Sequence, residues 1–145
     1  MKDILVDNNI AKNFCNPLDE EYKKFIKWLF HEGSLVITKQ LIVEYQSSCA
    51  SSGSITNVMA IIDKQQKEGR LNFLSSGDLR SFKFKPKDER RLHSNKKDRS
   101  HIKAVLLSKR KFAVSRDRFF RADVNSFPGY SARAEARPED IPYSV

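Results

Sequence analysis

Four carboxylates stand where this chain could use them for metal-assisted chemistry at a phosphate. Asp7 follows the apolar run Ile4-Leu5-Val6, and Glu44 sits inside the apolar stripe of a predicted helix. Asp98 opens another predicted helix, and Asp117 follows a second apolar run, in Ser115-Arg116-Asp117. Carboxylates gathered in one crevice repel one another and stay ionised together only with a cation among them. Oxygen ligands of this kind suit Mg²⁺ or Mn²⁺ rather than zinc. An ion so held lowers the pKa of its bound water and stabilises charge developing on a phosphoryl group. Each acid also has a plainer role open to it. Asp7, Asp98 and Asp117 can cap the turn or helix they precede, and Glu44 can flank its stripe and pair with a lysine.

The charge around these acids is uneven. The chain of 145 residues carries a net charge of +9. From Arg80 to Arg121 there are 16 Lys and Arg against 4 acids, so that stretch holds +12 and the rest of the chain −3. A local basic concentration is the electrostatic footprint expected for phosphate backbones. The plain alternative is a solvated surface, which usually mixes both signs. Lys96, Lys97, Arg99, Arg116 and Arg118 adjoin two of the acids and are the candidate contacts to a nucleic-acid strand. Tyr45 and Phe119 have rings that a base could stack on, or that a core would take.

The elements that must position these residues follow from hydrophobic spacing. Ile4-Leu5-Val6, Leu35-Val36-Ile37, Leu71-Asn72-Phe73-Leu74 and Phe112-Ala113-Val114 read as short strands. Tyr22, Phe25, Ile26, Leu29 and Phe30 mark an amphipathic helix that Gly33 stops. Thr38 can cap a helix through about Cys49, on which Leu41, Glu44, Tyr45 and Ser48 share a face. Ser47 to Ser54 reads as a loop, and Ile55, Val58, Met59 and Ile62 mark the next helix, ending at Gly69. Residues 79–97 form a basic insert with a short helix near Asp88 to His93, and a helix follows from Asp98 to about Lys109. From Ala122 the chain reads as a loop-rich tail, 122–145, packed on the domain and offering one further edge strand. Strands alternating with helices predict an α/β fold with a parallel sheet covered on both faces. In such sheets the functional crevice lies at the carboxyl ends of the strands, where Asp7 and Asp117 both fall.

Other classes are disfavoured. No apolar run approaches the roughly 20 residues that span a bilayer. The N-terminus lacks the apolar region of a secretory signal. Cys15 and Cys49 form no CxxC pair, and His31, His93 and His101 are scattered, so a zinc site is not expected. The two cysteines read as reduced, packed thiols of a cytoplasmic protein.

The combination of Ile4-Leu5-Val6-Asp7-Asn8-Asn9-Ile10, Val36-Ile37-Thr38 with Glu44 beyond it, Asp98-Arg99-Ser100-His101-Ile102-Lys103-Ala104 and Phe112-Ala113-Val114-Ser115-Arg116-Asp117 resembles the PIN-domain family of metal-dependent nucleases. The resemblance covers residues 1–121 and rests on order and spacing rather than on any single motif. It implies a three-layer α/β/α sandwich around a parallel sheet of about five strands. It implies an acidic pocket of Asp7, Glu44, Asp98 and Asp117 binding Mg²⁺ or Mn²⁺, with Asn8 beside Asp7 and Ser115 orienting Asp117. His101, one helical turn from Asp98, would face the pocket rim or be simply a packed or surface histidine. The implied activity is an endoribonuclease that cleaves single-stranded or looped RNA by water attack, with DNA also open as a substrate. The implied context is the toxin of a toxin–antitoxin pair, with an antitoxin-like protein partner, no membrane, and a homodimer compatible with it. A PIN-like module that binds nucleic acid without cleaving it, or a protein-interaction subunit, is the alternative. The basic insert and the tail depart from the compact family pattern.

Overall fold

The computed structural model describes residues 1–15, 17–52 and 57–144, and the side chains of residues 49–52 and 57 lie outside that description. Five parallel strands form one sheet: β1 (Asp3–Val6), β2 (Ser34–Ile37), β3 (Asn72–Phe73), β4 (Phe112–Val114) and β5 (Arg133–Glu135), in the order β3-β2-β1-β4-β5. The helices are α1 (Asn8–Ala11), α2 (Glu20–His31), α3 (Lys39–Ser52), α4 (Asn57–Lys67), α5 (Ser76–Ser81), α6 (Pro86–Glu89), α7 (Lys96–Leu107) and α8 (Arg118–Ser126). Helices α1 to α4 pack on one another directly or through the 3-10 turn Lys12–Cys15, while α5, α7 and α8 pack together. This is the α/β architecture with helices flanking a central sheet, consistent with three layers.

The two strands β1 and β2 are buried throughout, β4 is buried over Ala113 and Val114, and the edge strands β3 and β5 are only partly covered. Ile4, Leu5, Val6, Leu35, Val36 and Ile37 are fully buried, as sheets covered on both faces require. Ala113 pairs with Leu5 on one side and Ala134 on the other. The strand order places a topological switch between β1 and β4. The chain builds outward from β1 to β2 and β3, then returns to lay β4 and β5 on the other side. Ligand crevices of open α/β sheets form at such a switch, beyond the carboxyl ends.

Two local contacts set the frame. Asp3, fully buried at the amino end of β1, accepts from the backbone N–H groups of Lys109 (2.8 Å) and Arg110 (2.9 Å) and from Asn72 Nδ2 (2.8 Å). It thereby ties β1 to the turn before β4 and to edge strand β3. Gly33 follows α2 where a Cβ would lie 2.6 Å from the Trp28 ring, so close approach of the indole requires glycine there.

Several sequence expectations are corrected. Helix α3 continues through Ser52, so Ser47 to Ser52 is helical rather than loop; Gly53, Ser54, Ile55 and the thiol of Cys49 lie outside the described residues. The third strand is only Asn72–Phe73, and the short insert helix is Pro86–Glu89. Asp98 does not open α7. Asn95 caps it, accepting from the Asp98 N–H at 3.0 Å, and Asp98 occupies the first turn. Residues 122–126, expected to begin the loop-rich tail, belong to α8, and Cys15 is exposed rather than packed. The edge strand expected in the tail is β5. Among the described residues no helix is long and apolar enough to cross a membrane.

Candidate metal centre

Asp7 lies just past β1, at the switch. Its N–H continues the β1–β4 ladder by donating to Val114 O at 3.0 Å, and its carboxylate caps α1 by accepting from Asn8 N at 2.8 Å. The second carboxylate oxygen accepts from Ser115 Oγ at 2.6 Å and from Asn9 Nδ2 at 3.3 Å. Asn9 also uses its Oδ1 to accept from Arg116 N at 3.0 Å. Asn8 lies beside Asp7 through its backbone N–H, while its side-chain amide turns to Ser48 on α3, 2.9 Å away, so the side-chain amide that reaches Asp7 is that of Asn9. Ser115 differs in role. Its hydroxyl donates to Asp7 and accepts from Asp117 N at 3.1 Å, so it orients the Asp7 carboxylate rather than that of Asp117.

Glu44 projects from α3 toward α7. His101 Nε2 lies 2.8 Å from one carboxylate oxygen and 3.3 Å from the other. Only a donor can serve a carboxylate, so Nε2 carries the proton here. The ring is 1% exposed, and its Nδ1 has no hydrogen-bond partner among the described residues. Burial pushes the Glu44 carboxyl up, but the His101 hydrogen bond and charge, with Lys97 behind them, hold it below the ordinary value. Tyr45, next along α3, is fully buried and donates its hydroxyl to Val6 O, so it is core rather than a stacking platform. Burial, with the charges of Asp7 and Glu44, drives that phenol well above its usual range.

Asp7, Glu44 and His101 each offer one ligand atom within 4.8 Å of the others. Asp98 and Asp117 stand outside that trio but not outside its field. Burial raises the Asp98 carboxyl, His101 opposes this, and the charges of Asp7, Asp117 and Glu44 raise it further. Asp117 caps α8, its Oδ1 accepting from Phe119 N at 2.9 Å and Phe120 N at 3.2 Å. Asp7 therefore caps α1 while belonging to the trio, and Asp117 caps α8 outside it. The carboxylate oxygens, with the imidazole supporting Glu44 or taking the place of a ligand when Nε2 is deprotonated, fit Mg²⁺ or Mn²⁺. A cation among these acids would relieve the repulsion recorded at Asp98. Asp63 and Asp123 do not substitute for any of the four. Asp63 is exposed and pairs with Lys67 at 2.9 Å, and Asp123 binds the backbone of His93 and Ser94.

The candidate strand-binding residues divide. Lys96, Lys97, Arg116 and Arg118 are exposed. Lys97 lines a shallow cleft with Asn8, Val43, Glu44 and Ser48, on the Glu44 side of the cluster. Arg118 lies over the Phe119 ring at 5.0 Å, and Phe119 is 49% exposed, so this pair remains open to a base. Arg99 is engaged instead, its guanidinium 3.3 Å from Glu89. Arg121, which no sequence signal singles out, donates to Ser115 O at 2.9 Å and braces the end of β4.

The fold and this cluster define an α/β protein with a carboxylate–imidazole site at the switch point of a parallel sheet. No family model matches the chain, and none of the curated proteins or solved structures compared with it matches either.

Proposed function

We propose that the protein is a Mg²⁺- or Mn²⁺-dependent nuclease of PIN-like type, cleaving single-stranded or looped RNA. The observation that carries this reading is the convergence of Asp7, Glu44 and His101 at the β1–β4 switch, within the field of Asp98 and Asp117. Asp7 and Glu44 would hold the ion, with Asp98, Asp117 and the His101 ring completing its surroundings. When bound, such an ion polarises a phosphate and lowers the pKa of a water beside it. Ser115 and Asn9 fix the Asp7 carboxylate by two hydrogen bonds, and His101 fixes Glu44, so the ligands are held before substrate arrives. Lys97 beside Glu44, and Arg118 over Phe119, supply cations for the phosphate backbone on either side of the cluster. RNA as the substrate follows from the family resemblance; the residues themselves call only for a phosphodiester.

The test is cleavage of a labelled, mostly single-stranded RNA with Mn²⁺, with Mg²⁺ and with EDTA, using Asp117→Asn as the blank. Metal-dependent cleavage that disappears in the variant is the expected result. Salt-sensitive binding without cleavage would replace this reading with a module that only binds. Neither binding nor cleavage would direct attention to a protein partner.

A further inference from the structure

The basic insert is a built surface, not a loose loop. Phe82 and Phe84 turn inward, where Phe82 packs on Phe84 and Tyr130 (ring centroids 5.5 and 5.7 Å apart) and Phe84 on Phe127 (5.6 Å). Phe84 also lies under Lys103 of α7, 5.3 Å from the ammonium. The far end is pinned by Asp123, 2% exposed, whose carboxylate accepts from His93 N at 2.9 Å and Ser94 N at 2.7 Å. Between these anchors Glu89 meets Arg99.

With Phe82 and Phe84 turned in, Lys83 and Lys85 point out. Phe82 and Lys85 have extended backbone, and burial alternates residue by residue across this segment. Side chains two residues apart on extended chain share a face and stand about 6.6 Å apart, comparable to the step between successive phosphates of a stretched single strand. Lys87 follows, exposed, in the first turn of α6. None of the three lysines forms an ion pair among the described residues, whereas basic groups elsewhere, such as Lys23, Lys67 and Arg133, do. The segment runs beside α7 on its Arg99–Lys103 face, one face round from Asp98 and His101.

We infer that Lys83, Lys85 and Lys87 form a phosphate ladder for a single-stranded nucleic acid leading toward the carboxylate cluster. The inference rests on the nucleic-acid part of the proposed function but not on cleavage. The ladder contacts phosphates, so it carries no base sequence. A single strand follows an extended segment more closely than a stiff duplex does.

The experiment measures binding of an oligouridylate and an oligothymidylate of about twelve nucleotides to the full chain, in EDTA, over a range of salt. The test protein is the triple variant Lys83→Gln, Lys85→Gln, Lys87→Gln, and the control is Lys23→Gln, Lys24→Gln, Lys27→Gln on α2, which removes the same charge elsewhere. The expected result is a salt slope shallower by about 2 in the test variant, at roughly 0.7 per single-strand phosphate contact, for both oligonucleotides and with no change in the control. An unchanged slope, equal losses in both variants, tighter binding of a duplex of the same length, or no binding by the wild type would each overturn the ladder. A slope loss confined to one oligonucleotide would place the lysines on sugar or base and also overturn it. Because EDTA removes metal chemistry, a slope loss without cleavage under any condition leaves the ladder standing and removes the nuclease reading. Cleavage with an unchanged slope does the reverse.

Discussion

Ser115 Oγ donates to Asp7 Oδ2 at 2.6 Å, joining the ends of two adjacent strands across 108 residues of sequence. The hydroxyl is fully buried and also receives the Asp117 N–H, so a single atom links two of the four acids. Ser115→Ala removes the donor and leaves a backbone N–H short of a partner. The expected loss of stability is about 1–3 kcal/mol, together with slower metal-dependent cleavage. Urea unfolding and a Mn²⁺-supported rate check both, and a wild-type midpoint with a wild-type rate would remove Ser115 from the site.

Asp7→Asn separates the two roles of that residue. Asparagine caps helices as well as aspartate does, so α1 and the fold should be retained, with a lower thermal midpoint because its NH2 group cannot accept from Ser115 Oγ and Asn9 Nδ2. The charge facing Glu44 and His101 is lost, and cleavage should fall to the level of the Asp117→Asn blank. Residual cleavage near wild type would exclude Asp7 as a metal ligand.

His101 holds Glu44, and a ring nitrogen lies within 4.8 Å of ligand atoms of Asp7 and Glu44. His101→Gln keeps a donor for Glu44 while removing the imidazole. Loss of a ligand or of its immediate support typically weakens metal binding by about tenfold or more, and that is the expected shift in a Mn²⁺ titration read by electron paramagnetic resonance. An unchanged affinity would make the histidine a packing residue.

The tail is latched by charge. Arg137 Nη2 meets Asp19 Oδ2 at 2.7 Å, and this hydrogen bond, with the Glu21 N–H, lowers the Asp19 carboxyl below its usual value. A depressed folded pKa contributes stability above the unfolded value, about 3.9, and that contribution disappears as pH falls through the folded value. Asp19→Asn preserves the cap on α2 but not the ion pair. Wild type should therefore be more stable than the variant at about pH 6, and the gap should close as pH falls through the lowered folded value. Urea midpoints across that range decide it, and a constant gap would assign the difference to the cap.

Asp123 is the anchor of the basic insert. Asp123→Ala removes the acceptor of the His93 N–H and of the buried Ser94 N–H, with an expected cost of roughly 3 kcal/mol for two charge-assisted bonds. It should also expose residues near 90–97 to protease and weaken oligonucleotide binding. Wild-type protease resistance would show that the aromatic anchor suffices alone.

The sequence by itself determined the strands that end in Asp7 and lead to Asp117, the helix carrying Glu44, and the α/β class. These are local matters of apolar spacing, and burial on both faces of a parallel sheet makes Ile4-Leu5-Val6 and Leu35-Val36-Ile37 legible. Other elements hid for equally physical reasons. The edge strand expected in the tail could not be placed, because β5, Arg133-Ala134-Glu135, turns only Ala134 fully into the core, too little for an apolar pattern. Helix α8 buries Phe120, Asp123 and Val124, and the acid in that stripe breaks the hydrophobic signature. Only the tertiary structure decided the strand order, and with it the switch that sets β1 beside β4. It alone decided that the Asn8 amide turns to Ser48, that Ser115 serves Asp7, and that His101 is buried against Glu44. Those choices depend on contacts between residues tens to a hundred positions apart, where neither spacing nor propensity carries information. Side-chain chemistry marks which residues can act, and the packing of the sheet fixes which of them meet.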